Sequence, residues 1–357
     1  MMKSKNRTMK PISVGGQALM EGIMMRGPKG LAMSLRLPDG TIETSMKKVT
    51  QLKDKFKPFG WPFIRGIVGF IESMVLGYKC LMESAEKTSI DTNDDEEKMS
   101  KLDKWFTKHF GPKMMAVIGT ISAVIGFGLA FLLFFLLPTI IFNFINKNGS
   151  VTAWKTIIEG TIRITIFVAY MALVAKMKDI KRLYMYHGAE HKSIFCFENG
   201  EELTVENVRK QKRFHPRCGT SFLFVMIILS ILISSIVIFI FPGLVHKTAL
   251  WMVVKLMIVP IIMGIGFEFI KYAGCHQNIF IKVLSAPGLW MQRITTKEPT
   301  DDIIEVGIAA LKAVIENPQA DSQVNESLPS DTVFAEEAVT DNIYSREKTA
   351  DENLIEE

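Results

Sequence analysis

Charged side chains disappear from the chain between Lys113 and Lys147. A helix needs only about 20 apolar residues to cross a hydrocarbon core about 30 Å thick, so this stretch predicts a membrane span at about 114–137, ending near Pro138. Three more apolar stretches predict spans at about 156–176, 219–241 and 249–271. The second carries Glu159 and Arg163 one helical turn apart, where they can pair and reduce the cost of entering a bilayer. Pro242-Gly243 ends the third, and the fourth holds Lys255, Pro260 and Glu268. This pattern excludes an ordinary soluble globular protein.

Outside the spans the periodicity changes. Residues Leu31–Leu37 and Thr41–Met46 flank Pro38-Asp39-Gly40, which reads as a β-hairpin with an Asp-Gly turn. From Trp61 to Met82 an apolar run is interrupted by Arg65, Glu72, Lys79 and, just beyond, Glu86, each seven residues apart. On a helix these form one charged stripe along an apolar cylinder, which suits a membrane interface or a protein groove. Pro287-Gly288 marks a turn. Thr300, Asp301 and Asp302 start a short amphipathic helix, with Thr300 able to cap it and the aspartates favouring its positive end.

The predicted fold is an α-helical multi-pass membrane protein with about four transmembrane helices, an interfacial amphipathic helix and a small N-terminal β-hairpin region. Its segments are a Gly/Met-rich N-terminus with the hairpin (1–60), the interfacial helix (61–86) and a charged linker (87–113). A four-helix membrane domain with a cytoplasmic histidine loop and a C-terminal amphipathic helix (114–316) precedes an acidic tail (317–357).

Net charge is +5, but it is divided. The tail holds eleven acids and two bases and too few apolar residues to offset its ordering entropy, which predicts disorder there. The basic remainder is explained by cytoplasmic residues flanking spans, so the bilayer rather than nucleic acid is the expected partner. Segment 98–113 has five lysines and segment 176–217 has ten Lys or Arg, against two in 146–156 and one in 242–249. Both charged segments and both termini are therefore expected on the cytoplasmic side of a bacterial cell membrane. The first thirty residues lack a continuous apolar region, so no cleavable signal peptide is expected. The four cysteines, Cys80, Cys196, Cys218 and Cys275, form no CxxC pair and are expected reduced or, in one or two cases, as metal ligands.

The most informative stretch is Tyr186-His187-Gly188-Ala189-Glu190-His191-Lys192, which contains H-x-x-E-H. On a helix His187 and His191 share one face, a spacing that lets both imidazoles grip one metal. Glu190 beside them could act as base in the inverted-zincin manner. The competing explanation is a polar helix with histidines at the lipid headgroups. His215-Pro216-Arg217-Cys218-Gly219 stands at the far end of the same loop, and the fourth span returns to that face with Glu268 and Cys275-His276. His187, His191, His215, Cys218 and His276 are thus candidate metal ligands, with zinc the suspected ion and another divalent metal the alternative. Arg217 could stabilise a developing oxyanion.

These motifs resemble the bacterial YqhQ family (DUF1385), a domain of unknown function described as predicted metal-dependent membrane proteins. The likeness lies in G-G-Q-A-L-M-E-G-I-M-M-R-G-P (15–28), Y-H-G-A-E-H-K (186–192), L-T-V-E-N-V (203–208), H-P-R-C-G-T-S-F (215–222) and P-G-L-W-M-Q-R-I-T-T-K-E-P (287–299). It implies a multi-pass membrane protein with a suspected metal site and names no substrate. The Gly-rich 15–28 segment reads either as a loop closing over the cytoplasmic site or as backbone packed on the membrane domain with Glu21 and Arg26 paired.

Two functions follow. One is a zinc-dependent membrane enzyme, possibly hydrolytic, acting on a lipid or membrane-anchored substrate with Glu190 and Arg217 as catalytic groups. The other is a non-catalytic scaffold whose metal or histidine cluster staples loops together. A transporter is disfavoured by the few charges within the spans and the lack of a visible repeat.

Overall fold

The alternating positions of the N-terminal segment form a four-stranded antiparallel sheet of order β1-β2-β3-β4: β1 Gly15–Leu19, β2 Gly22–Gly27, β3 Gly30–Arg36 and β4 Ile42–Lys47. In this computed structural model the described residues are 14–47, 52, 56–88, 112–149, 154–216, 218–275 and 279–315. Most of the charged linker, the acidic tail, Arg217 and His276 lie outside them. The expected hairpin is β3–β4. Its turn is closed by the Asp39 carboxylate, which accepts from the Thr41 amide at 2.9 Å and hydroxyl at 2.6 Å, with Gly40 at φ 84°. The Gly-rich segment 15–28 is not a loop: it is the β1–β2 hairpin, because its backbone pairs with β3 as well as with itself.

The remaining elements are helices: α1 Ile64–Thr88, α2 Pro112–Phe131, α3 Leu137–Ile145, α4 Lys155–Val174, α5 Lys178–Glu198, α6 Val205–Lys210, α7 Gly219–Ile240, α8 Thr248–Cys275, α9 Ile279–Thr295 and α10 Asp301–Ile315. Four helical stretches are long and apolar enough to cross a membrane: Val124–Ile145, Lys155–Val174, Leu223–Ile240 and Thr248–Phe269. The described residues fall into two compact units, one within Met1–Thr88, Val174–Met226 and Met263–Glu357, the other within Ser89–Leu173 and Ile227–Ile262.

In the first unit the sheet is covered on both faces. Leu19, Met33 and Leu35 pack with Cys80 of α1, while Ile23, Met25 and Ala32 join Ala189 of α5 and Ile303, Ile304 and Leu311 of α10. Alternation along a strand sends neighbours to opposite faces, so a doubly covered β3 reads as a nearly continuous buried run. Two charges of the α1 stripe, Arg65 and Glu72, turn toward the protein, while Glu86 is exposed. Arg65 forms a two-pronged pair with Glu268, both contacts at 2.9 Å, and the buried Glu72 accepts from the Leu52 amide at 2.8 Å. Small residues Gly66, Gly69, Gly77 and Ser84 let this face approach closely, and bulky Ile71, Met74, Tyr78 and Met82 are left exposed.

In the second unit the first predicted span does not stop at Pro138. A π-helical segment, Leu132–Leu136, joins α2 to α3, with the Leu137 amide bonded to the Leu132 carbonyl. Pro138 follows within the same helical run, in the first turn of α3, and Arg163 donates to the Phe134 carbonyl four residues before it. Glu159 does not pair with Arg163 as expected. It meets Lys255 of α8 at 2.5 Å, and Arg163 bonds elsewhere. In the first unit Pro287-Gly288 likewise makes no turn, since α9 runs through it and the carbonyl freed is that of exposed Val283.

Candidate metal centre

Helix α5 presents His187 and His191 one turn apart, with ring centroids 4.4 Å from each other. Each ring is fixed by a backbone carbonyl on a different segment. His187 Nδ1 lies 2.9 Å from the Thr295 oxygen at the end of α9, and His191 Nδ1 lies 2.6 Å from the Arg213 oxygen. A carbonyl can only accept, so both Nδ1 atoms carry the proton and each Nε2 is left as a donor to a metal or a partner. His187 Nε2 stands 3.2 Å from Cys218 Sγ, and His191 also bonds that sulfur. Ligand atoms of His187, His191 and Cys218 lie within 4.8 Å of one another, the one such group of three among the described residues.

The supports are local. Gly188 separates the histidines because the Lys297 carbonyl passes against it, and a Cβ there would collide with that oxygen. The Lys297 amide holds the same crossing by donating to the Tyr184 carbonyl at 2.8 Å. On the other side Gln292 of α9 clamps the His215 backbone, accepting from its amide and donating to its carbonyl, both at 2.7 Å. That clamp fixes the loop leading to Cys218. The hairpin tip is tied to α5 by Glu21, which sits at φ 49° and takes bonds from Arg182 and the Tyr186 hydroxyl. Glu21 therefore pairs with Arg182.

Glu190 is buried, and one of its oxygens, Oε2, has no hydrogen-bond partner. The carboxylate accepts from the Gly16 amide of β1. Gly16 has no alternative residue at that distance, since a Cβ would come within 3.0 Å of the Glu190 carboxyl carbon and 2.8 Å of the Met24 carbonyl. Burial raises the Glu190 carboxyl to about 7, against the lowering effect of His187. For Cys218 burial pushes upward, but the His187 and His191 contacts outweigh it and hold the thiol well below its usual range. Burial likewise opposes charge on His187, yet the Cys218 sulfur, Glu190 and the Thr295 carbonyl raise it to about 9.

Three of the five expected ligands therefore come together. His215 stands aside: its ring is 5.6 Å from His191, its Nε2 faces Glu198 at 3.5 Å, and burial pushes it down to about 4. His276 and the expected oxyanion group Arg217 lie outside the described residues. The donor set suits a divalent ion, because two imidazoles oriented through Nδ1 and a thiol already inclined to ionise are zinc's preferred partners.

The family described as "Protein of unknown function (DUF1385)" matches residues 61–317. The chain belongs to this family. It is also 33% identical over 316 residues to "Uncharacterized protein YqhQ" of Bacillus subtilis (strain 168), covering 85% of this chain and 93% of that relative. No solved structure matches it. The Gly16 contact links segment 15–28 to the H-x-x-E-H helix, and the Thr295 carbonyl links segment 287–299, which lies within the matched residues, to the same helix.

Proposed function

We propose that this member of the YqhQ family is a metal-dependent integral membrane hydrolase, with zinc its ion and a lipid headgroup or membrane-anchored peptide its substrate. The observation that carries the reading is the convergence of His187, His191 and Cys218 beside a buried carboxylate with a free oxygen. Three protein donors leave one position open, the count of a catalytic rather than a structural zinc site. A divalent ion held there would supply Lewis acidity to a reacting oxygen. Glu190 is suited to take and return the proton: Gly16 anchors the carboxylate, and Oε2 is the oxygen left to act. Burial keeps the carboxyl near neutral pH, and nearby positive charge favours its ionised, proton-accepting form. Partial exposure of His187 and Cys218, against the burial of His191, favours approach from their side.

Four stretches long and apolar enough to span a bilayer support insertion, and the basic segments 98–113 and 176–217 support a cytoplasmic site with both termini on that side. Cys218 directly precedes α7, which carries one span, and this favours a substrate already at the membrane surface.

The test compares lipid and membrane-peptide profiles of a deletion strain complemented with wild type, Glu190→Gln or His187→Ala. Both variants are expected to leave the deletion profile. Full complementation by Glu190→Gln with failure of His187→Ala would replace the enzyme by the scaffold reading.

A further inference from the structure

Helix α9 has two faces with different company. Met291, Gln292 and Thr295 are buried, and the last two serve the metal centre: Gln292 clamps the His215 backbone, and the Thr295 carbonyl fixes His187 Nδ1. The opposite face is bare. Ile279, Val283 and Trp290 are 76%, 65% and 56% exposed, and Ala286 is exposed between them. Steps of four, three and four residues put these positions in one stripe along the helix. Exposed Lys282 and Arg293 border that stripe on one edge, and neither forms an ion pair with another described residue.

Connectivity decides how this helix runs. Leu223–Ile240 and Thr248–Phe269 are successive stretches able to cross a bilayer, so Leu223 and Phe269 come out at the same membrane face. Cys218 precedes Leu223 by five residues, and Ile279 follows Phe269 by ten. The start of α9 is therefore tied to that face. Its end is tied there too, because the Thr295 carbonyl holds His187, whose Nε2 meets Cys218. At 17 residues α9 is roughly 25 Å long, close to the thickness of the hydrocarbon core at about 30 Å. Crossing the bilayer would carry Thr295 to the far face, away from Cys218, so the helix must run along the surface.

Pro287 sets the depth. It leaves the Val283 carbonyl without its helical donor, a group that hydrocarbon cannot satisfy and that the hydrated headgroup layer can. Tryptophan and basic side chains favour the same layer. A face that is apolar along its middle and basic along one edge fits an anionic lipid surface, the phosphates meeting the cations and the acyl chains meeting the stripe.

We propose that α9 lies in the plane of the membrane surface, with Ile279, Val283 and Trp290 against the acyl chains and Lys282 and Arg293 on the phosphates of anionic lipids. This rests on the insertion of α7 and α8 proposed for the chain, not on the metal or the reaction. It brings lipid to the reverse side of the helix that orients His187.

The full-length chain is reconstituted in vesicles of phosphatidylcholine with a minority of phosphatidylglycerol. Carbonate extraction reads insertion first: release by carbonate would overturn the crossing of α7 and α8 and this proposal with it. In inserted chain, the fluorescence lost in Trp290→Phe isolates Trp290. Val283→Trp in that background adds a reporter seven residues along the same stripe. Bromine near the headgroup end of the acyl chains is expected to quench both reporters more than bromine near the chain ends, and to the same degree. A crossing helix would separate their depths by roughly 10 Å. Unequal depths, or quenching by aqueous iodide in place of bromine, would overturn the proposal while leaving insertion intact. Protection of both reporters from bromine and iodide would overturn it as well, and is the result for a face covered by a second copy of the chain. Should Val283→Trp fail to fold, the depth of Trp290 alone decides. With bromine confined to one lipid, phosphatidylglycerol should be enriched around Trp290 about fivefold or more over phosphatidylcholine. Lys282→Gln with Arg293→Gln should abolish that preference. Equal quenching by the two lipids in wild type, or an unchanged preference in the double variant, would overturn the assignment to anionic lipid.

Discussion

Gly188→Ala separates the metal-centre account from a general packing role. The new methyl would meet the Lys297 carbonyl, a backbone atom that cannot rotate away as a side chain would. Overpacking of this kind costs about 1–3 kcal/mol. Alanine inside a helix returns up to about 1 kcal/mol through propensity, which leaves a net loss of up to about 3 kcal/mol and a lower melting temperature, so metal affinity rather than melting carries the distinction. The crossing segment has nowhere to go without loosening both the Lys297–Tyr184 bond and the Thr295 carbonyl that holds His187 Nδ1 at 2.9 Å. Losing such an outer partner weakens metal affinity by about 10–100-fold, or roughly 1.4–2.7 kcal/mol. Zinc titration against a competing chelator, on chain first stripped of metal, measures it beside the melting temperature. An affinity within about twofold of wild type, in a folded variant, would refute the claim that this carbonyl orients a ligand.

Gln292→Leu should lower stability by about 2–4 kcal/mol, because it leaves the buried His215 amide and carbonyl without their partner. Thermal unfolding checks this, and an unchanged melting temperature would remove the clamp from the account. A cysteine placed near Gly200, at exposed Glu201, should resist an impermeant thiol reagent in intact cells and react after lysis. Labelling from outside would reverse the orientation argued from loop charges.

What the sequence made legible was local. Four apolar stretches could be placed because charge is absent or sparse along them, and H-x-x-E-H was readable because its spacing lies within two helical turns. Cys218 joined the histidines through its position at the end of the same loop. The orienting groups were hidden, since the Thr295 and Arg213 carbonyls and the Gly16 amide are backbone atoms and every residue carries them. Gln292 left a faint trace as a polar residue beside Arg293 in the 287–299 stretch. Glu159 was assigned to Arg163 because that spacing is visible along one helix, whereas its actual partner Lys255 is 96 positions away. Pro138 and Pro287 misled for a related reason: proline reports a missing N–H, and whether that ends a helix depends on what surrounds the freed carbonyl.

Metal content of the full-length chain, purified in detergent without chelator, tests the central claim most directly. The account predicts stoichiometric transition metal in wild type and in Glu190→Gln, and its loss in folded His187→Ala, His191→Ala and Cys218→Ala. Wild type free of stoichiometric metal, or metal retained in all three ligand variants, would contradict it.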